Sequence, residues 1–169
     1  ALYGSNALGG VVNLITSPVS ENPASLVRGH FGIDQVPARY KFTKGDLTTQ
    51  GLTVQHSRQI GGVGVRLFGG RETTDGFTDN GFSGRWLLRA KVGSAPGSAH
   101  PWDAYAIYAR EVDYIFFSWR SPDRPFEVDT ATRGNNERAN KFLTGATITP
   151  LIGTHLLLRV SPYLNYNTL

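Results

Sequence analysis

Alternate residues along this chain separate repeatedly into an apolar set and a polar set, and this period of two restricts its possible folds more than any other feature. Between residues 82 and 92, for example, the even positions include Trp86 and Leu88, whereas the odd positions include Arg85 and Arg89. Side chains alternate between the two faces of a β-strand, so such a stretch predicts a strand with one apolar and one polar face. No stretch shows a competing helical period.

Seven stretches of this kind predict about seven strands. Their connections are alternately short, near residues 60–62 and 150–153, and long and polar, at 34–50, 71–81 and 115–140. An up-and-down antiparallel sheet with one trimmed rim and one elaborated rim produces this order. The predicted strands cover residues 26–33, 51–59, 63–70, 82–92, 101–114, 141–149 and 154–166.

The composition excludes several classes of protein. Hydrophobic residues make up 40% of the chain and charged residues 18%, which is too apolar for a disordered chain. The longest apolar run, residues 104–109, is far too short for a membrane-spanning helix. The net charge of +4 is spread without a basic run, so we expect no nucleic-acid partner. The chain starts at Ala1 and contains no methionine, from which we expect a piece of a longer protein.

No pattern of residues indicates catalysis or a resident metal or cofactor. Cysteine is absent, which excludes disulfides and thiolate chemistry. The acidic residues between positions 111 and 129 fit a solvated loop better than a carboxylate pair, and no nucleophile or metalloprotease motif occurs. The four histidines lack the spacing of a metal site, and they are His30, His56, His100 and His155. We therefore expect a protein that is not an enzyme.

Two-faced strands fit two settings. In a soluble sandwich or small barrel the apolar faces point inward, whereas in an outer-membrane barrel they point outward to lipid. Aromatic residues near the predicted strand ends favour the membrane setting, because interfacial aromatic girdles occupy such positions. These residues are Trp86, Trp102, Tyr105, Tyr108, Tyr114, Phe116, Phe117, Trp119, Tyr163 and Tyr166.

The opening segment carries the most specific motif. Tyr3-Gly4 is followed by the pair Gly9-Gly10 and then by an alternating β-branched run that contains Asn13 and ends at Thr16. This pattern resembles the end of the plug domain of TonB-dependent outer-membrane receptors. Residues 71–80, 85–92 and 148–167 resemble later barrel segments of the same family more diffusely.

The resemblance implies a plugged barrel of about 22 strands in the outer membrane of a Gram-negative-type bacterium. Residues 1–20 would be the C-terminal end of the plug, and residues 21–169 the N-terminal part of a transmembrane β-barrel. The expected fold is therefore all-β, an antiparallel meander forming part of that barrel. The implied partners are the lipid bilayer, the TonB complex of the inner membrane and a scarce small-molecule or metal-chelate ligand.

Candidate ligand contacts lie in the longest loop and on the inward-facing polar sides of the strands. Ligand identity stays open among iron chelates such as ferric siderophores, cobalamin, and sugar or peptide cargo. The inward-facing basic residues fit plug contacts better than ligand contacts, and the long loop is the better candidate for binding a ligand. The main alternative is a soluble β-sandwich or small β-barrel binding module, and a passive porin is a third possibility. The candidate ligand residues are Phe116, Trp119, Arg120, Arg124, Arg85, Arg89 and Arg159.

Overall fold

The computed structural model describes residues 22–36, 38–152 and 156–169. The plug-like motif, with Tyr3, Gly4, Gly9, Gly10 and Asn13, lies outside the described residues, as does the predicted strand at residues 11–16. The predicted plug boundary at residue 20 therefore stays a prediction.

Eleven β-strands make up almost all regular structure in the described residues, which also hold one 3-10 turn at Ala38–Tyr40. No helix in these ranges is both long and apolar enough to cross a membrane. In chain order the strands are β1 (Ala24–Asp34), β2 (Leu47–Ile60), β3 (Val63–Thr74), β4 (Ser83–Ser94), β5 (Trp102–Tyr114), β6 (Trp119–Ser121), β7 (Arg124–Val128), β8 (Asn136–Ile148), β9 (Leu151–Ile152), β10 (Leu156–Leu157) and β11 (Tyr163–Thr168).

Seven of these strands form one sheet in the order β1-β2-β3-β4-β5-β8-β11. Every neighbouring pair is antiparallel, and each strand pairs with the strand before it once the small β6–β7 and β9–β10 hairpins are set aside. The sheet is not closed, since β1 and β11 are its two edges. The predicted all-β antiparallel meander of about seven strands is thus confirmed.

The connections divide between two rims of the sheet. The long-loop rim holds residues 35–36 and 38–46, residues 75–82 and residues 115–135. The short-loop rim begins with the two-residue turn Gly61-Gly62, at φ +53° and +82°. Positive φ at both central residues is the requirement of a type I′ hairpin turn, which glycine meets without strain. The second short connection covers residues 95–101.

Proline interrupts the last hairpin. The predicted strand at 154–166 is wrong in its continuity, because β10 ends at Leu157 and β11 starts only at Tyr163. The same register nevertheless runs through the gap, with Ile148 paired to Val160 and the Ala146 amide donating to the Pro162 carbonyl. Pro162 has no N–H to return that bond, so the ladder breaks there.

Two further differences concern the long loop. β8 begins at Asn136, earlier than the predicted start at residue 141. The predicted loop at 115–140 also contains the β6–β7 hairpin, in which Trp119 pairs with Val128 and Ser121 with Arg124. These strands are too short for a period of two to stand out from their surroundings, so the sequence pattern does not reveal them.

The register gives the sheet two unlike faces. We call the side with Trp86 and Leu88 the apolar face, and the side with Arg85 and Arg89 the polar face. Leu87, which interrupts the alternation of β4, lies on the polar face opposite Gly70 and Ala109. Large exposed hydrophobic residues of the sheet are concentrated on the apolar face, namely Val27, Phe31, Ile33, Leu52, Val54, Ile60, Leu67, Trp86, Leu88, Trp102, Tyr108, Phe142, Ile148, Leu164 and Tyr166.

The polar face is the more protected side of the sheet. Leu47, Ser57, Ala109 and Ala139 are buried, and all four lie on that face by register. Trp86, by contrast, is 48% exposed. Within the described residues the apolar side chains therefore do not converge on a dry interior.

Candidate functional site

Ionisable side chains of different strands meet across the polar face. Arg85 of β4 and Glu72 of β3 are direct register partners, and the Arg85 Nη2 lies 3.2 Å from the Glu72 Oε2. The His30 Nε2 of β1 lies 4.0 Å from the other oxygen of the same carboxylate. Further along this face, the Lys91 Nζ lies 3.8 Å from the Asp103 Oδ2.

The pattern continues onto β5 and β8. Lys141 donates a hydrogen bond to Glu111, and Ser83 donates to Asp113. The Arg89 guanidinium lies 5.4 Å from the ring centroid of Phe68, within cation–π range. Charges on this face are therefore largely matched within the sheet itself.

A polar pocket of about 280 Å³ opens on the polar face next to the long-loop rim. Three carboxylates line it, and Arg85 is the one cation among its lining residues. Among the described residues no group of three or more histidine and acidic side chains could hold a metal ion. The pocket therefore offers hydrogen bonds and mixed charge rather than a metal centre. Its lining consists of Glu72, Thr74, Ser83, Arg85, Glu111 and Asp113.

Two of the candidate arginines converge in the β6–β7 hairpin. The Nη1 atoms of Arg120 and Arg124 lie 3.1 Å and 3.2 Å from the Glu127 Oε2. Burial acts to raise the pKa of Glu127, but the hydrogen bonds and charges of Arg124 and then Arg120 outweigh it and lower the pKa below its ordinary value. One carboxylate faces two cations, so this cluster keeps a net positive charge.

The loop between β3 and β4 is docked onto this hairpin region. Asn80 has a φ of +61°, and its side-chain amide donates to the backbone oxygens of Ile115 and Asn135, 2.8 and 3.1 Å away. Its side-chain oxygen accepts from the Gly134 amide at 3.0 Å. Arg133 pairs with Asp79 across the same junction.

Backbone contacts and burial strengthen this junction. The Asp79 amide donates to the Phe126 carbonyl at 2.7 Å, and Val128 is completely buried. Phe77, Phe117 and Trp119 remain 67%, 75% and 60% exposed on these loops. Residues 75–82 and 115–135 are distant in sequence and form one ordered layer, which we call the loop layer. It presents aromatic and cationic side chains.

The sequence-based candidates occupy three different places. Arg120 and Arg124 meet at Glu127, and Trp119 begins β6 next to them. Phe116 precedes this hairpin and is half-buried. The remaining candidates are elsewhere: Arg85 and Arg89 have their own partners on the polar face of β4, and Arg159 is exposed between β10 and β11.

Sequence reasoning misses the residues that hold the loop layer together. Asn80-Gly81 is a turn signal, since asparagine and glycine tolerate positive φ, and it could have marked Asn80 as a special position. Nothing local indicates that its partners are Ile115, Gly134 and Asn135. Glu127 falls among the acids expected in a solvated loop, although its basic neighbours at 120 and 124 are visible in the sequence.

Comparisons with protein-family models, with curated proteins and with solved structures found no match for this chain.

Proposed function

We propose that this chain is part of the wall of a TonB-dependent outer-membrane receptor, which captures a scarce ligand at the cell surface and imports it with energy from the inner membrane. The observation that carries the proposal is an open sheet whose large apolar side chains are exposed on one face, while the other face holds the buried residues of the sheet and pairs its charges internally. A soluble sandwich requires the opposite arrangement, with the apolar face covered.

Strand length supports the same proposal. The six long strands of the sheet contain between 11 and 14 residues. A transmembrane β-strand needs about 9–11 residues, whereas strands of soluble proteins have about 5–6 most often. Each long strand is therefore sufficient to cross the hydrocarbon layer of a bilayer at a tilt.

The two rims also match the proposed topology. Outer-membrane barrels have short periplasmic turns and longer extracellular loops. The Gly61-Gly62 turn and its neighbours would then face the periplasm, and the docked loop layer would face the outside. Residues 1–20, proposed as the end of the plug, would lie inside the barrel and lead toward the TonB complex.

In this proposal the ligand meets the loop layer before it reaches the pore. Phe116, Trp119, Arg120 and Arg124 would provide aromatic and cationic contacts at the surface, and aromatic and arginine residues commonly dominate binding energy. Arg85, Arg89 and Arg159 would act deeper, on the polar side of the wall. The proposed role is binding and transport without covalent chemistry.

Surface labelling on intact cells tests the proposal. Phe117→Cys would place a thiol on the long-loop rim and Ser98→Cys one on the short-loop rim, in a stretch that has no cysteine of its own. With the protein produced from its complete reading frame, a membrane-impermeant maleimide should label the first variant on intact cells. The second variant should react only after the outer membrane is permeabilised.

The opposite results identify the alternative. Equal labelling of both variants, only after lysis and in a fraction that needs no detergent, would contradict the receptor and support a soluble β-sandwich or small β-barrel binding module. Labelling of Ser98→Cys alone on intact cells would reverse the proposed orientation.

A further inference from the structure

The apolar face of the seven-stranded sheet carries charge of one sign only. The carboxylates of the sheet strands all lie on the polar face, at Asp34, Glu72, Asp103, Glu111, Asp113 and Glu137. The apolar face instead holds four arginines, at positions 58, 71, 110 and 138. Charge on this face is therefore not matched within the sheet, in contrast to the ion pairs of the polar face.

Three of the four arginines form a row toward the long-loop rim. In the register Trp86 stands opposite Arg71 on one side and opposite Arg110 on the other. Arg138 pairs with Val112, one position further along the same face than Arg110. All three arginines are exposed, and the Arg71 guanidinium lies 5.0 Å from the ring centroid of Trp86.

An apolar groove adjoins Arg71 at one end of this row and lies over β1 to β4. Its volume is about 620 Å³, and Arg71 is part of its lining. Gly69 leaves room at its floor, because a Cβ built there would meet only the Leu88 Cδ2 at 3.6 Å. The other apolar lining residues include Phe31, Leu52, Val54, Trp86 and Leu88.

The groove and the row together are complementary to one kind of molecule. An arginine side chain that faces lipid is costly at the bilayer midplane and tolerated near the interface. This row lies next to the long-loop rim, which the proposed function puts near the interface. The guanidinium fork matches a phosphate group bidentately. A molecule with an acyl chain beside a phosphate would bury the chain along Leu52 and Leu88 while its phosphate reaches Arg71 and Arg110.

We propose that the Arg71–Arg110–Arg138 row and the adjoining groove bind an acylated, phosphate-bearing lipid of the outer leaflet. This inference rests on the proposed function, which turns the apolar face toward lipid. A specific headgroup site goes beyond that function, since a barrel wall can contact lipid everywhere without preferring one headgroup. Charge complementarity selects the phosphate lipid, because this face has cations and no strand carboxylate.

Binding is measured on the protein produced from its complete reading frame and purified in a mild non-ionic detergent. The probe is phosphatidic acid, titrated into the micelles and counted as bound lipid by native mass spectrometry. Diacylglycerol with the same acyl chains lacks only the phosphate, and inorganic phosphate lacks the chains. The site predicts at least tenfold weaker apparent binding for each of these two molecules than for phosphatidic acid.

Variants separate the row from general positive charge. Arg71→Gln combined with Arg110→Gln should weaken phosphatidic acid binding about tenfold or more, since both forks are removed. Arg58→Gln is the matched control, because Arg58 lies on the same face away from the row and should keep wild-type binding. Gly69→Leu fills the groove without changing charge and should also weaken binding. Arg71→Lys with Arg110→Lys should give an intermediate loss.

The outcomes are decisive in both directions. Equal binding by wild type and the Arg71→Gln, Arg110→Gln variant, equal losses in the Arg58→Gln control, or equal binding of diacylglycerol would overturn the lipid site. Labelling of Phe117→Cys on intact cells tests the receptor proposal separately. A labelled surface loop with no phosphate preference would leave the receptor standing and remove this site alone.

Discussion

Adjacent leucines in β4 lie in opposite environments. Leu88 is 49% exposed on the apolar face, and Leu87 is half-buried on the polar face opposite Gly70 and Ala109. Because both residues are leucines, identical substitutions at the two positions compare the environments of the two faces.

An arginine at position 88 should therefore be costly in a membrane. Leu88 lies near the middle of β4, so we expect Leu88→Arg to destabilise the protein folded in lipid vesicles by about 2–4 kcal/mol. Leu87→Arg should cost clearly less, because its side chain points to a face that already holds arginines. Urea-unfolding titrations in vesicles measure both, and a larger loss for Leu87→Arg would contradict the assignment of faces.

The protonation of Glu127 gives a second test in a single side chain. Its pKa lies below the ordinary value, so its contribution to hairpin stability is complete above the unfolded pKa and is lost only as pH falls through the lower folded pKa. Carboxyl carbon NMR of Glu127 should follow this titration. Arg120→Gln with Arg124→Gln should move the pKa upward, and an unchanged titration would exclude the two arginines as its cause.

The connections on the two rims are stabilised in different ways. The short-loop rim depends on local backbone geometry, as in the turn at Gly61-Gly62. The long-loop rim depends on side chains distant in sequence, such as Asn80 with Gly134 and Asn135.

A side chain at Gly62 should strain the first short turn. Its φ of +82° is unfavourable for residues with a Cβ, so Gly62→Val should destabilise the protein by about 1–2 kcal/mol. Gly45→Ala is the control, because Gly45 has no positive φ and an added Cβ would meet no heavy atom within 4 Å. Thermal melts of the two variants compare them, and equal melting temperatures would contradict the turn assignment.

Removing the Asn80 amide should release the docked loops from each other. Asn80→Gly preserves the permitted positive φ but loses the bonds to Ile115, Gly134 and Asn135, so it isolates the hydrogen bonds from the backbone strain. We expect faster hydrogen exchange at the amides of Asp79 and Gly134, with no change in the central strands. Equal exchange rates at these two amides in the variant and the wild type would mean that the loops are held by other contacts.

The whole sheet is predictable from the sequence to the extent that its signals are local. Alternation between neighbours reveals the long strands, and glycine marks the turn at 61–62. Pro162 interrupts a ladder whose register otherwise continues, so the alternation overstates the continuity of the last strand. The loop layer escapes prediction because Asn80 and Arg133 find their partners far along the chain. The charge asymmetry of the two faces requires the register between strands.

If the apolar face of this open sheet contacts lipid, as we propose, the adjacent Leu88 and Leu87 of β4 lie in lipid and in water, respectively. Leu88→Cys and Leu87→Cys, each carrying a small environment-sensitive fluorophore, are compared in vesicles of lipids with brominated acyl chains. We expect strong quenching by the brominated chains at position 88 and little at position 87, where aqueous iodide should quench instead. Quenching by brominated chains at position 87 alone, or at neither position, would mean that the apolar face does not contact lipid.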